Sequence, residues 1–190
     1  MLTGAAQGTL LRMSHPPHGD PGHVHDEAWA AAHGEVSLPA DPRRLVLVFD
    51  SPVAQECAAL AGRLGWPVTV VEPDAGRCAG GAVGSLVEAG LDAGSDVVVC
   101  DHERSELGDV LAEALSLPTR WVGVMGSLRH TAPHVEALRA RGVAETDISR
   151  VHRPIGLDVG SRTPPEIALS TVCGLLADRN GRPGGPFGQA

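Results

Sequence analysis

The sequence predicts a three-layer α/β domain in which helices cover both faces of a mainly parallel β-sheet. Short, continuous apolar runs such as residues 45–49 are typical of strands that are buried on both faces of a parallel sheet. Segments with helical periodicity alternate with these runs. Because that alternation is the pattern of strand–helix–strand crossovers, it favours a parallel sheet over a sandwich or a helical bundle.

The elements can be placed from their capping residues. Ser51 and Pro52 are typical of the N-cap and first position of a helix, and Gly65 is typical of the residue just past a helix end. We expect one face of this helix to be buried, namely Ala54, Cys57, Ala58, Ala61 and Leu64. Strands are predicted at 45–49, 68–71, 97–100 and 121–124, further helices at 27–32, 106–117, 131–141 and 164–178, and an irregular crossover at 79–95.

Composition limits the classes of function. A chain of 190 residues suits one core of ordinary size. The formal charge of −8, together with no Tyr, two Phe and three Trp, argues against nucleic-acid binding, which relies on clustered basic and aromatic side chains. The sequence therefore predicts no nucleic-acid partner.

The chain divides into three segments by composition. Residues 1–43 are rich in His, Pro and Gly and predict a flexible N-terminal arm, residues 44–179 form the α/β domain, and residues 180–190 predict a disordered tail. The arm contains five histidines, which invites a metal hypothesis, but no cysteine or well-placed carboxylate completes a closed site. We therefore expect a solvated segment and assign no metal.

The four cysteines lie far apart and form no metal-binding pattern. Cys57, Cys100 and Cys173 lie in apolar stretches, so buried free thiols are favoured over disulfides. No export signal opens the chain, and no apolar run approaches the roughly 20 residues that span a bilayer. The expectation is a cytoplasmic protein without a membrane partner.

The first strand–helix turn lacks the G-x-G-x-x-G pattern with which dinucleotide-binding domains hold a pyrophosphate. Here the turn reads Phe49-Asp50-Ser51-Pro52, so that Pro52 removes an amide donor and Asp50 adds a negative charge. Glu72 follows at the distance expected of a ribose-binding carboxylate, although a Glu at a strand end is more often exposed. The sequence of this turn therefore argues against NAD(P) binding.

The loop after the fourth predicted strand is a better candidate for ligand binding. Gly126 can direct backbone amides forward, Ser127 can cap or donate, and Arg129 provides a guanidinium for a phosphate or carboxylate. Ligands bind at this end of the strands in parallel sheets. The alternative is an ordinary capped turn between a strand and a helix.

A second candidate loop precedes the last helix. Gly156 and Gly160 flank Asp158, with Arg153 and Arg162 nearby, so the loop could present backbone amides beside one carboxylate. The alternative is a rigid connector in which Asp158 makes turn hydrogen bonds. The last helix itself is predicted from Thr163 and Glu166, which form a capping box.

Asp101 and His102 follow the third predicted strand. His102 could act as an acid or base that Asp101 orients, but adjacent side chains point in different directions unless the turn is tight. The alternative is a pair of surface charges.

Two stretches, Gly-Val-Met-Gly-Ser at 123–127 and Pro-Ile-Gly-Leu-Asp-Val-Gly-Ser-Arg-Thr-Pro-Pro-Glu at 154–166, resemble the C-terminal Rossmann-type domain of the XdhC/CoxI family. The resemblance runs from about residue 45 to 179 and includes Leu64-Gly65-Trp66 and Asp101-His102-Glu103. It implies a Rossmann-like fold. It also implies an accessory role for molybdenum hydroxylases such as xanthine dehydrogenase, in which the protein binds the molybdenum cofactor, protects it and passes it to the apo-enzyme.

By position, the resemblance implies that the cofactor, as molybdopterin or its dinucleotide form, is bound by two loops and the end of the third strand. The implied residues are Gly123, Gly126, Ser127, Arg129, Gly156, Asp158, Gly160, Arg162, Asp101 and His102. The implied partners are the molybdenum hydroxylase apo-enzyme and other family members. Whether the protein forms a homodimer is left undecided by the resemblance. The family's glycine-rich first turn is replaced here by Asp50-Ser51-Pro52.

Two other functions remain open on the sequence. A parallel sheet of this kind also permits an NAD(P)-dependent oxidoreductase, by analogy of fold alone. The changed first turn also allows a degenerate scaffold that contacts a partner without binding a ligand. No residue is assigned a catalytic role, and a maturation factor is favoured over an enzyme.

Overall fold

The computed structural model describes residues 27–34, 43–78, 80–126 and 132–185. Contacts divide the chain into two units, residues 1–39 and 40–190. The first unit contains helix α1 (Glu27–Ala32), as predicted, and here the ring of His33 lies 3.9 Å from that of Trp29. The predicted division into an arm, a domain and a tail stays a prediction, and the arm's other four histidines lie outside the described residues.

The second unit contains a five-stranded sheet in which every strand is parallel to its neighbours. Its order is β2-β1-β3-β4-β5, so the carboxyl ends of all five strands meet at one edge, called here the C-terminal edge. The chain leaves β1 in one direction for β2 and returns past β1 to β3, which places the topological switch point between β1 and β3. The strands are β1 (Arg44–Val48), β2 (Val68–Val71), β3 (Ser95–Val99), β4 (Trp121–Val124) and β5 (Val151–His152).

Helices cover both faces of this sheet, which confirms the predicted three-layer α/β class. Alternate residues of β1 contribute to two cores, because successive side chains of a strand point to opposite faces. Val46 and Val48 pack with α3 to α6, and Leu45 and Leu47 pack with α2 and α7. The helices are α2 (Pro52–Arg63), α3 (Leu86–Ala89), α4 (Leu107–Ser116), α5 (Pro133–Arg139), α6 (Glu145–Ile148) and α7 (Pro164–Arg179).

Helix α2 begins as predicted but ends earlier. The Ser51 hydroxyl accepts a hydrogen bond from the Ala54 amide at 3.2 Å, and Pro52 occupies the first helical position. The predicted inward face is buried at Ala54 and two further positions, Cys57 and Ala61, and half-buried at Ala58. The prediction for Leu64 is wrong: this side chain is 46% exposed, because the helix ends at Arg63 and the chain then turns at Gly65 with φ +76°.

Short elements account for the other differences from the prediction. The 79–95 crossover is irregular as expected, with one bridge between Val71 and Val83 and a single helical turn, α3. Elements α6 and β5 were not predicted, since four and two residues are too few to show a hydrophobic period. Helix α7 starts with the predicted capping box of Thr163 and Glu166.

The cysteines are free thiols. Cys57 and Cys100 are buried as predicted, and burial raises the pKa of Cys57 to about 12. Cys173 is half-buried and Cys78 is exposed. Within the described part of the chain, no helix is long and apolar enough to cross a membrane.

Candidate functional site

The predicted site residues of the second unit follow the carboxyl ends of different strands. Asp101 and His102 come after β3, Gly126 comes after β4, and the loop of residues 153–163 comes after β5. Because all five strands are parallel, these segments share the C-terminal edge, as the sequence predicted for the residues after β3 and β4; the third segment follows β5, which was not predicted.

A cleft of about 420 Å³ opens at this edge, between the start of α4 and helix α5. Its size lies within the range of small-molecule sites. Leu107, Pro133 and Ala137 are its apolar lining residues, and the Arg141 guanidinium lies against the backbone of Gly108. The remaining wall is the loop of residues 102–105, which contributes imidazole, carboxylate, guanidinium and hydroxyl groups.

His102 lines this cleft, whereas Asp101 is engaged in a turn. The Asp101 carboxylate accepts a hydrogen bond from the Glu103 amide at 2.9 Å, which is the local turn geometry common for Asp. Both residues are half-buried. The structure therefore gives Asp101 a part in shaping the loop, and ligand binding by either residue stays a prediction.

Arg153 connects the loops that follow β4 and β5. A Cβ atom added to Gly126 would lie 2.7 Å from Arg153 Nε and 2.8 Å from Nη2, so the half-buried guanidinium lies directly against the Gly126 backbone. Burial lowers the pKa of His134, at the start of α5, and the nearby Arg153 lowers it further. Ser127 and Arg129 lie outside the described residues.

Two of the predicted site glycines lie where close packing leaves no room for a side chain. Gly123 lies within β4, where an added Cβ would lie 2.7 Å from the Ile155 side chain and would overlap the ring of Trp121. Gly156 has φ +85°, and an added Cβ would lie 2.7 Å from the Ser170 hydroxyl. The family motif does not distinguish a glycine that is required for packing from one that contacts a ligand.

The Gly156 contact ties the loop after β5 to helix α7. The Leu157 amide donates to the Ser170 carbonyl at 3.1 Å, and the Ser170 hydroxyl donates to the Leu157 carbonyl. An added Cβ on Gly174 would lie 2.7 Å from the Gly156 Cα, so helix and loop backbones touch. The loop is therefore anchored at its first half.

The second half of the same loop is exposed. Asp158, Gly160 and Arg162 are all exposed, and Gly160 has φ +69° with open space around the position of a Cβ. The Arg162 amide donates to Glu166 at 2.7 Å, which leaves its guanidinium to other contacts. These are the predicted residues of this loop that stand where a ligand or a partner could reach them.

Glu72 differs from its sequence expectation. Its side chain is fully buried, where an exposed strand-end carboxylate was expected. Oε2 accepts from the Asp50 amide at 3.0 Å and from Arg104 Nη1 at 3.2 Å, and Oε1 accepts from the Asp74 amide at 3.0 Å and from Arg104 Nη2 at 2.9 Å. Burial alone would raise the pKa of Glu72, but these hydrogen bonds outweigh it and lower the pKa.

Arg104 completes a cluster with Phe49 and Glu72, called here the Phe49–Glu72–Arg104 cluster. The guanidinium lies over the Phe49 ring at 4.5 Å and also pairs with Glu106, whose pKa it lowers to about 2. Phe49 is fully buried and has φ +71°, an uncommon backbone conformation for a bulky residue. Sequence reasoning missed Arg104, because 32 residues separate it from Glu72 and no motif links the two.

No group of three or more His, Cys, Asp and Glu side chains in the described ranges could hold a metal ion. The candidate site among these residues is the cleft together with the guanidinium groups of Arg153 and Arg162.

Residues 45–175 match the XdhC Rossmann domain family. The chain is also 31% identical over 154 residues to the uncharacterized protein YqeB of Escherichia coli (strain K12), an alignment that covers 75% of this chain and 28% of YqeB. A crystal structure described as a xanthine dehydrogenase from Bacillus halodurans matches with a TM-score of 0.59 and 19% identity, over 78% of this chain and 45% of that chain.

The chain thus spans less than half the length of both relatives. At 19% identity the likeness to the Bacillus halodurans structure concerns the fold, and it agrees with the parallel sheet described above. The match to the family covers more than half of the 190 residues, and it includes both glycine-containing loops. The chain therefore belongs to the XdhC family through its Rossmann domain.

Proposed function

We propose that this protein is an accessory factor for molybdenum hydroxylases related to xanthine dehydrogenase, and that it binds the molybdenum cofactor as cargo and delivers it to the apo-enzyme. The observation that carries this proposal is the meeting of the loops after β3, β4 and β5 at one edge in a chain of the XdhC family. Parallel sheets of this class bind their ligands outside the carboxyl ends of the strands.

The residues at this edge fit the chemistry of such a cargo, which combines a flat, polar pterin with a phosphate. The cleft beside α4 and α5 has apolar walls and a polar rim that includes His102 and Ser105. Arg153 holds a guanidinium against Gly126, and the exposed Arg162 provides another at the second loop. A planar guanidinium is suited to a phosphate because it can donate two parallel hydrogen bonds.

In this proposal each group has a separate task. Arg153 and Arg162 hold the phosphate, the cleft covers the pterin and excludes water from it, and His102 contacts its polar edge. The anchoring of the Gly156 loop to Ser170 fixes the position of Asp158 relative to α7. Because the outer half of this loop is exposed, the apo-enzyme can reach the cargo from that side.

The test is a titration of the full chain with molybdenum cofactor, followed by the fluorescence of the oxidised pterin. Arg153→Ala should weaken binding by roughly ten- to a hundred-fold, because a hydrogen bond to a charged group contributes about 1.5–3 kcal/mol. The matched control is Arg139→Ala, which removes an exposed arginine that pairs with Glu145. Equal binding by wild type, Arg153→Ala and a double variant Asp158→Ala with Arg162→Ala would contradict the site.

A further inference from the structure

Two amides of the first strand–helix turn are bonded inside the protein, and a proline removes a third. Pro52 has no N–H group, and the Ala54 amide donates to the Ser51 hydroxyl at 3.2 Å. The Asp50 amide points to the Glu72 carboxylate at 3.0 Å, and the Asp50 carboxylate accepts from the Gln55 side chain. The amides of Asp50 and Ala54 are therefore used inside the protein, where a dinucleotide-binding turn would offer amides to a pyrophosphate.

The Glu72 carboxylate, which follows β2, is also fully hydrogen-bonded within the protein. A carboxylate has about four acceptor positions, and the two oxygens of Glu72 each accept two hydrogen bonds, from Asp50, Asp74 and Arg104. Its side chain is fully buried. It therefore has neither the access nor the free acceptor positions that recognition of a ribose hydroxyl requires.

The Phe49 ring lies beneath the Arg104 guanidinium that pairs with Glu72. Phe49 is fully buried at the end of β1, and Arg104 crosses above it from the β3 side to Glu72 on the β2 side. Since φ at Phe49 is +71°, the packing around the ring maintains a backbone conformation that a glycine would adopt without strain. The β1–β2 side of the switch point is thus filled by protein groups.

The β3–β4 side of the same edge is open by contrast. The cleft of about 420 Å³ lies there, and Arg104 is both one of its lining residues and the group that binds Glu72. The Phe49–Glu72–Arg104 cluster therefore forms the boundary between a closed half and an open half of the edge.

We propose that the Phe49–Glu72–Arg104 cluster determines ligand specificity by excluding a nucleotide from the β1–β2 side, so that the chain accepts the pterin cofactor as its monophosphate and rejects its dinucleotide form and NAD(P). The part that concerns the pterin rests on the proposed function. The exclusion of nucleotides is independent of it and can be measured with nucleotides alone.

The first experiment follows backbone amide signals by NMR during titration of the ¹⁵N-labelled chain with NAD⁺ and, separately, with CMP. The amides of Asp50 and Asp74 should keep their chemical shifts at millimolar nucleotide, because their hydrogen bonds to Glu72 persist. Saturable shifts at both amides would overturn the proposal. The outcome does not depend on whether the molybdenum cofactor binds.

The second experiment opens the closed side with Phe49→Gly, which suits the positive φ and removes the ring. Nucleotide affinity should rise by at least about ten-fold over the wild type. The matched control is Leu64→Ala, which removes an exposed apolar side chain outside both the cluster and the cleft and should leave nucleotide affinity unchanged. A folded Phe49→Gly variant, judged by circular dichroism, with unchanged nucleotide affinity would overturn the role of Phe49.

The third experiment compares the two forms of the pterin cofactor directly. The monophosphate should bind at least about ten-fold more tightly than the cytosine dinucleotide form. Equal affinity would overturn the specificity proposal while the accessory function stands. Failure of both forms to bind would instead contradict the accessory function, and the nucleotide titrations would still decide the exclusion.

Discussion

Buried carboxylates pair with arginines at both edges of the sheet, and the two arrangements behave differently. At the C-terminal edge, Glu72 pairs with one arginine of the described ranges, Arg104, and accepts hydrogen bonds from two backbone amides as well. At the N-terminal edge, Asp96 of β3 lies between Arg43 and Arg120, which precede β1 and β4. Both carboxylates are almost completely buried, so the difference between them comes from their neighbours.

The neighbours shift the two pKa values in opposite directions. Burial raises the pKa of Asp96, and the hydrogen bond from Arg120 and the charge of Arg43 do not fully offset it, partly because Asp178 adds a second negative charge nearby. At Glu72, burial is outweighed by the Arg104 hydrogen bonds and the two amides, so its pKa is lowered. The hydrogen bonds that Glu72 accepts from Arg104 and from two backbone amides thus outweigh the effect of burial on its pKa, whereas at Asp96 the effect of burial is the larger.

The largest expected effect is a loss of stability when an arginine beside Glu72 or Asp96 is removed, and it should differ between the two carboxylates. Arg104→Ala leaves Glu72 buried without its one cation, and breaking a buried pair in this way costs about 3–5 kcal/mol of unfolding free energy. Arg120→Ala should cost less, about 1–3 kcal/mol, since Arg43 still pairs with Asp96 at 3.4 Å. Urea unfolding of the two variants and the wild type measures both values.

The double variant Arg104→Met with Glu72→Gln is the control for Arg104→Ala. It removes both charges and should recover part of the lost stability, because the buried anion is no longer left unpaired, although one of the Asp50 and Asp74 amides then loses its acceptor oxygen. Equal stability losses for Arg104→Ala and Arg120→Ala would contradict the difference drawn between the two edges.

The sequence predicts the strands and helices of this molecule well, but it predicts the side-chain contacts at the edges of the sheet poorly. The runs at β1 and β4 and the cap at Ser51 identify their elements, because apolar period and capping chemistry are local properties. Glu72 was expected to be exposed, since its partner Arg104 becomes its neighbour only when β2, β1 and β3 align. Local patterns carry no information on such a contact.

The candidate site also depends on contacts between residues that are distant in the sequence. The sequence places Gly126 at the C-terminal edge, because that loop follows a predicted strand, whereas Gly156 lies at this edge through β5, a strand too short to be predicted. The packing role of Gly156 against Ser170, and the contact of Arg153 with Gly126, depend on how α7 and the loop fit together. Motif comparison could find these loops without showing which of their atoms face a ligand.

A pH titration of stability should show opposite signs at the two edges. Because the folded pKa of Glu72 lies below its ordinary value of 4.5, its stabilising contribution is present above about pH 4.5 and is lost as the pH falls through the folded pKa. The stability advantage of wild type over Glu72→Gln should therefore shrink on acidification. Unfolding free energies measured between pH 7 and pH 3 test this.

Asp96 should give the reverse result in the same series. Its folded pKa lies above the ordinary value of 3.8, so ionisation in the folded state carries a cost that appears as the pH rises through that interval. Wild type should gain stability relative to Asp96→Asn as the pH falls towards 3.8. Parallel pH curves for the two variants would show that the carboxylates are not distinguished by their neighbours.

The smallest effect is expected where the geometry of the Glu72–Arg104 pair recurs at the surface. Arg139 and Glu145 also form two parallel contacts, at 2.6 and 3.0 Å, but both side chains are more than half exposed. Water screens such a pair, so Arg139→Ala should change the free energy of unfolding little, and the difference should disappear in about 1 M salt. Urea unfolding at low and high salt measures it beside Arg104→Ala, whose cost should persist in salt because its partner is buried. A cost for Arg139→Ala equal to that for Arg104→Ala would mean that the two-contact geometry, and not burial, sets the stability of these pairs.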